Sequence, residues 1–369
     1  MQIDPQAAQV LDLLRMSHNV LISGPPGTGK SRLLGEVARG FRNQSGGPAY
    51  VRNARIAIPP TTTGPPPPYL PSPTRTNRDV FQTAMHSGFK QRDLLRGVVP
   101  AVKSGGSALQ FEVTKGILYR ASEHALAPHG AALLIIDEIN RGPAVAVFGP
   151  SIVALESDKR LDDSGHVTTS TQPFEIIDDD GKQVSYNLPT HLYIVAAMNQ
   201  VDTSIEALDV AFLRRFAPYR LTPDAQVLRE HFGLVPGLES ATGAPTTGTE
   251  VYALLLAAWE QVNAKITLGR GPEYQLGHGA LMLVDVPPTD LVEARHHAAR
   301  AWRLIRQHVD EVFFGDTRAV ADVLAADRPG SPYTLLETTF AGQPVTRLNG
   351  PDNLAHEALM TALRAIAAR

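Results

Sequence analysis

An α/β fold, with a parallel sheet sandwiched by helices and carrying hairpin insertions, followed along the chain by a small all-helical domain, is what this sequence predicts. Three observations predict it. A glycine-rich stretch, LISGPPGTGKSRLL at 21–34, stands between an apolar run and a helical one. A second apolar run, AALLIIDEINRG at 131–142, ends in two carboxylates. Beyond residue 222 the apolar residues recur at i, i+3 and i+4, the period of a helix packed on one side.

Gly24, Pro25, Pro26, Gly27, Thr28, Gly29, Lys30 and Ser31 fit the pattern G-x-x-x-x-G-K-[ST]. The spacing serves an anion. Glycines let the backbone curl so that several N–H groups point at one phosphate. Lys30 reaches the β- and γ-phosphates, and the Ser31 hydroxyl ligates Mg²⁺. NVLIS before the loop reads as a buried strand, and SRLLGEVARGF after it as a helix whose N-terminal dipole adds to the site. Arg32, in the first turn of that helix, joins the candidate nucleotide-binding set.

The run at 131–137 reads as a parallel strand buried on both faces. Asp137 falls at its C-terminal end, where open α/β sheets place ligands. Asp137 is therefore assigned to the Mg²⁺ shell, directly or through water. Glu138 is the candidate general base that polarises the attacking water. THLYIVAAMNQVD at 190–202 is a further apolar strand with Asn199 at its tip. An Asn there serves as a turn residue, or its amide holds the attacking water and senses the γ-phosphate. LDVAFLRRFAPYRL at 208–221 follows, with Arg214 and Arg215 side by side on an expected helix end. Neighbouring helical residues point about 100° apart, so the two need not share a job. One can reach a neighbouring subunit's nucleotide as an arginine finger while the other pairs at home; both can also be solvated cations at a helix C-terminus.

The domains divide as 1–222 for the nucleotide-binding part, with insertions at about 44–125 and 158–189, and 223–369 for the helical part. The stretch 44–78 is too rich in proline for a helix or a central strand and is expected to be an extended surface loop. Residues 101–118 suggest a short hairpin, and PFEIIDDDGKQVSYNL a second one around Asp-Gly. Lys159, Arg160 and Lys182 are solvated or contact a partner or phosphate backbone. TEVYALLLAAWEQVNAKI, TDLVEARHHAARAWRLIRQHVDEVFF and NLAHEALMTALRAIAAR read as helices, and SATGAPTTGT at 240–249 as a loop. His278, in LGHG, is either structural or a residue that approaches the phosphates. His296 and His297 read as structural. No repeat, metal-ligand cluster, Ser-His-Asp arrangement or nuclease site is visible.

The chain has 369 residues, a formal net charge of −3, 43% hydrophobic residues and no cysteine. Disulfides and zinc–thiolate sites are thereby excluded. The N-terminus lacks the pattern of a secretory signal, and no run approaches the roughly 18 apolar residues of a membrane span. A cytoplasmic protein is expected, with no membrane contact. Its near-neutral charge makes no global case for binding nucleic acid.

In this order these parts resemble an AAA+ NTPase, and in detail the McrB-type motor subunits of methyl-directed restriction systems. LLIIDEINRG, VFG and LESDKR at 133–160 are similar to that family's second-strand region. YIVAAMNQVDTSIEALDVAFLRRF at 193–216 resembles its M-N-x-x-D segment and double arginine, with Asn199 and Asp202 matching and Gln200 and Val201 departing from Thr-Ala. DVFQTAMHSGFKQRDLLRGVVP, FEVTKGILYRASEHA and WRLIRQHVDEVFFGD are further similar segments, as is LGRGPEYQLGHGALM, with Gly279 where Ser is more usual. MoxR-type ATPases share several of these parts. The resemblance implies ATP or GTP with Mg²⁺ as ligands, bound between subunits of a homo-oligomeric, hexameric ring. It also implies an McrC-like nuclease subunit as partner in defence against foreign DNA. With 23 residues ahead of Gly24, no N-terminal module for modified bases is expected, so DNA recognition would lie on a partner, in the inserts, or nowhere. A MoxR-type remodeller and a nucleotide-stabilised scaffold without turnover are the competing readings.

Overall fold

The structure, a computed structural model, describes residues 3–43, 66–102, 109–199, 201, 208–235, 244–351, 354 and 356–368. Most of the proline-rich stretch (44–65), Gln200, Asp202, part of GGSALQ and residues 240–243 of the expected loop lie outside the described residues. The chain divides into two units. One comprises Met1–Ser23 and Lys30–Arg220, the other Gly24–Gly29 and Leu221–Arg369.

The first unit opens with α1 (Pro5–Ser17). Asp4 caps it by accepting from the Gln6 and Ala7 N–H groups, and Pro5 occupies the first turn, where its missing N–H is no loss. Then come β1 (Asn19–Ser23), α2 (Lys30–Arg42), β2 (Asn77–Ala84), the short α3 (Gln91–Leu94), β3 (Arg96–Val102) and β4 (Leu109–Lys115). α4 (Ile117–Leu126), β5 (Gly130–Asp137), α5 (Ala144–Phe148), β6 (Phe174–Ile177) and β7 (Gln183–Tyr186) follow. β8 (Leu192–Met198), α6 (Val210–Leu213) and β9 (Ala217–Arg220) complete the unit.

Five strands form a parallel sheet in the order β2-β5-β8-β1-β9. β5 and β8 are buried along almost their whole length, which is why both read as unbroken apolar runs. Each fully buried Leu, Ile or Val there contributes about 1.5–3 kcal/mol of transfer free energy. Parallel pairing brings strand ends of the same polarity together. Ala84 stands opposite Asp137, Ile136 opposite Ala196, and Ser23 opposite both Met198 and Arg220. β2 lies in the stretch assigned by sequence to an insertion and is nonetheless a strand of this sheet.

Several local expectations shift. The first hairpin pairs 96–102 with 109–115 rather than spanning 101–118. GILY leaves it to begin α4, because Ile117, Leu118, Ala121 and Ala125 form one buried helical stripe. The second hairpin pairs β6 with β7 across a turn in which Asp178 Oδ1 accepts from the Asp180 and Lys182 N–H groups. In the stretch 208–221, α6 ends at Leu213 with Arg214 as its C-cap, and APYR beyond it forms the edge strand β9, where Pro218 can lack an N–H. Arg160 is neither solvated nor free for a partner. It is 2% exposed, and its guanidinium donates to the Leu155 and Leu192 carbonyls and to Asn19 Oδ1. Lys159 pairs with Asp158 at 2.8 Å.

The second unit contains α7 (Ala225–His231), α8 (Gly248–Gly269), α9 (Leu291–Val312), α10 (Thr317–Val323), β10 (Thr334–Phe340), β11 (Gln343–Asn349) and α11 (His356–Ala367). Thr247 and Glu250 form a capping box that starts α8. The core joins Trp259, Trp302, Leu255 and Leu363, with Phe232 stacked on Tyr252 at 4.4 Å between ring centroids. His297 is buried against both rings, and His296 meets His356 edge-on. The helical unit also carries a hairpin, β10–β11, joined by Ala341 and Gly342, both with positive φ. That two-residue connection suits the right-handed twist of its strands.

Candidate active site

The phosphate-loop backbone is shaped by two left-handed glycines, Gly27 at φ 76° and Gly29 at φ 84°. Thr28 turns inward, its hydroxyl donating to the Pro25 carbonyl at 2.9 Å. Gly24 lies against Leu221, whose carbonyl oxygen a Cβ at 24 would meet at 2.5 Å. A second segment of the same unit reads the loop through its backbone. Gly277 N–H donates to the Pro26 carbonyl at 3.0 Å, and Gly279 N–H to the Gly27 carbonyl at 2.8 Å. A Cβ at 277 would stand 2.1 Å from the Gly27 carbonyl carbon, so only glycine fits. At 279, where Ser is more usual among the resembled proteins, a Cβ would meet the Gly27 oxygen at 2.9 Å. α8 steadies this segment: Trp259 Nε1 and Asn263 Nδ2 donate to the Leu276 carbonyl, and Asn263 Oδ1 accepts the Leu276 N–H. His278 Nδ1 accepts from the Asp224 N–H at 3.2 Å.

In the other unit, Lys30 begins α2 and is half-buried. Burial lowers its pKa from 10.5 to about 8, against the upward pull of Asp137 and Glu138. Asp137 ends β5, and its Oδ1 accepts the Glu138 N–H at 2.9 Å. Ser31, Leu34, Gln82, Thr83, Ile135 and Asp137 line one cavity of about 190 Å³. A serine hydroxyl and a carboxylate facing one space suit a divalent cation that also keeps water and phosphate ligands. Gln82 and Thr83 escaped the sequence reading; a polar pair late in a strand was the signal. Arg32 is turned to Asp4, which its guanidinium meets at 2.7 Å.

Glu138 sits in the left-handed region at φ 51°, an uncommon conformation for a residue with a Cβ, and ion-pairs with Arg141 at 3.0 Å. Asn199 follows β8, and its backbone carbonyl accepts from Asn140 Nδ2 at 2.7 Å. The two arginines part company. Arg214 is exposed. The Arg215 side chain is 6% exposed, pairs with Glu156 at 3.3 Å and also donates to the Ala211 carbonyl.

Residues 73–216 match the family model of the AAA domain, dynein-related subfamily. The phosphate loop lies upstream of the matched span, beyond the proline-rich stretch. Over 215 residues the chain is 27% identical to the Type IV methyl-directed restriction enzyme EcoKMcrB subunit of Escherichia coli (strain K12), covering 58% of this chain and 37% of that one. Over 218 residues it is 29% identical to the Type II restriction enzyme BsuMI component YdiS of Bacillus subtilis (strain 168), covering 56% of this chain and 57% of that one. The matched span is thus less than two thirds of either relative's length. Among solved structures, NtrX from Brucella abortus aligns at a TM-score of 0.33 and 14% identity, over 87% of this chain and 64% of that one. No described helix is long and apolar enough to cross a membrane. With an AAA domain matched over 73–216 and a phosphate loop upstream of it, the chain is similar to AAA+ nucleoside triphosphatases, and among them to the McrB type.

Proposed function

We propose that this chain is the motor subunit of a ring that hydrolyses ATP or GTP with Mg²⁺ and drives a nuclease partner of the McrC kind. The observation that carries the reading is one cavity lined by Ser31 and Asp137, with Lys30 under the field of Asp137 and Glu138. Loop N–H groups and Lys30 neutralise the phosphates. Ser31 and Asp137 would hold Mg²⁺, which when bound neutralises charge on phosphate oxygens. Glu138 takes the proton of the attacking water, and the Asn199 amide orients that water. Arg214 and Arg215 differ in their surroundings, and this favours Arg214 as the group offered to a neighbouring subunit: it is exposed, while Arg215 is held at home by Glu156. Such an arginine stabilises charge that develops in the transition state. The restriction setting is supported by the two relatives, a subunit and a component of restriction enzymes.

The experiment is ATP and GTP turnover against protein concentration, with Glu138→Gln as control. Turnover per subunit should rise with concentration as rings assemble, and fall by at least about a hundredfold in the variant while nucleotide still binds. Full activity in a proven monomer would overturn the shared site; assembly without turnover, with or without a nuclease partner, would favour the scaffold.

A further inference from the structure

We propose that Asn140 is a positioning residue for hydrolysis, holding the strand end that carries Asn199 in register with the one that carries Glu138. The inference rests on the reading of Asn199 and Glu138 given above. It starts from a gap in the sheet. The β5–β8 ladder ends at Ile136 opposite Ala196. Asp137 and Glu138 on one side, and Ala197 to Asn199 on the other, therefore run past the last pair between these two strands, though Asp137 still pairs with β2 and Ala197 and Met198 with β1. Asn140 bridges this gap. Its Nδ2 donates to the Asn199 carbonyl at 2.7 Å, across 59 residues of sequence.

Three features make the bridge effective. Asn140 is 4% exposed, so water is poorly placed to take over its bond. It belongs to the tight turn Ile139–Arg141 that follows Glu138 directly, so it moves with the proposed base. Its acceptor is the carbonyl bonded to the Cα that bears the Asn199 amide. Fixing that carbonyl restrains where the amide can point. A shift of about 1 Å in such a constellation can lower a rate by roughly a hundredfold.

The test uses Asn140→Asp, close in size but unable to donate when ionised, Asn140→Ala, and Asn140→Ser, a smaller donor that serves if the others fold poorly. In folded Asp or Ala variants kcat should fall about tenfold to a hundredfold, with equilibrium affinity for ATP or GTP within about twofold of the parent. A double variant with Asn199→Ala should lose no more than Asn199→Ala alone, because the bridge acts only through Asn199. Unchanged kcat in folded variants would overturn the proposal. So would kcat and affinity falling together with the folded fraction, or additive losses in the double variant. Glu138→Gln measured beside them separates the two ideas: its full turnover would sink the base assignment, while the Asn140–Asn199 cycle would still decide this one.

Discussion

Lys30 is the residue whose charge reports most directly on the proposed phosphate site. Burial brings its pKa down to about 8, with Asp137 and Glu138 opposing the shift. Affinity for a triphosphate should therefore be level below about pH 8 and weaken above it, toward roughly tenfold per pH unit as one proton is lost. Stability without nucleotide moves the other way. The folded pKa lies below the ordinary 10.5, so between about 8 and 10.5 the unfolded chain holds more protons. This group then makes the fold more stable as pH rises through that window. Fluorescent-nucleotide titrations from pH 7 to about 9.5, with Lys30→Arg as a comparison that keeps its charge, test the first point; an affinity flat across the range would refute it. Lys30 was legible because its motif is local. Arg160 was not: nothing in LESDKRL says that this cation is buried.

At the scale of elements, Arg160 ties separate pieces of the sheet together. It donates to Leu155, to Leu192 at the start of β8 and to Asn19 at the start of β1. Asn19 Nδ2 in turn donates to the Leu155 and Arg215 carbonyls at 2.8 and 3.0 Å. The backbone beside Arg214 is thus anchored to β1. Arg160→Met should deprive the Leu192 carbonyl and Asn19 Oδ1 of their buried donor and destabilise the fold by roughly 2 kcal/mol or more, at about 1–3 kcal/mol each. Urea unfolding measures this; a loss under about 1 kcal/mol would mean that the network is dispensable. Of the sheet's strands, β1, β5 and β8 were legible as apolar runs; the less buried β2 and β9 were not. The β10–β11 hairpin was missed although its signal, a glycine turn between strand-forming runs, was present, because a helical pattern on both sides favoured helices throughout.

At the scale of the assembly, the roles of Glu138 and Arg214 can be separated by mixing. If one subunit supplies Glu138 and its neighbour Arg214, Arg214→Ala alone should lose most turnover, at least about a hundredfold. An equal mixture of Arg214→Ala and Glu138→Gln chains should regain part of the activity, because some sites then pair an intact Glu138 with an intact Arg214. No recovery in rings shown to exchange subunits would place both groups in one chain or remove Arg214 from the site.

The sequence by itself determined the Gly24–Ser31 loop, the β5 strand ending in Asp137 with Glu138 directly after it, and the β8 strand with Asn199 at its tip. These are patterns of consecutive residues: phosphate binding needs a fixed local spacing, and a strand buried on both faces needs an unbroken apolar run. Only the tertiary structure decided which arginine of the pair is exposed, that Arg160 is enclosed, that Asn140 spans to Asn199 and that Gly277 lies against Gly27. The physical reason is the same in each case. A side chain's partners and burial are set by segments that packing brings together from far along the chain, and no spacing within one segment encodes them.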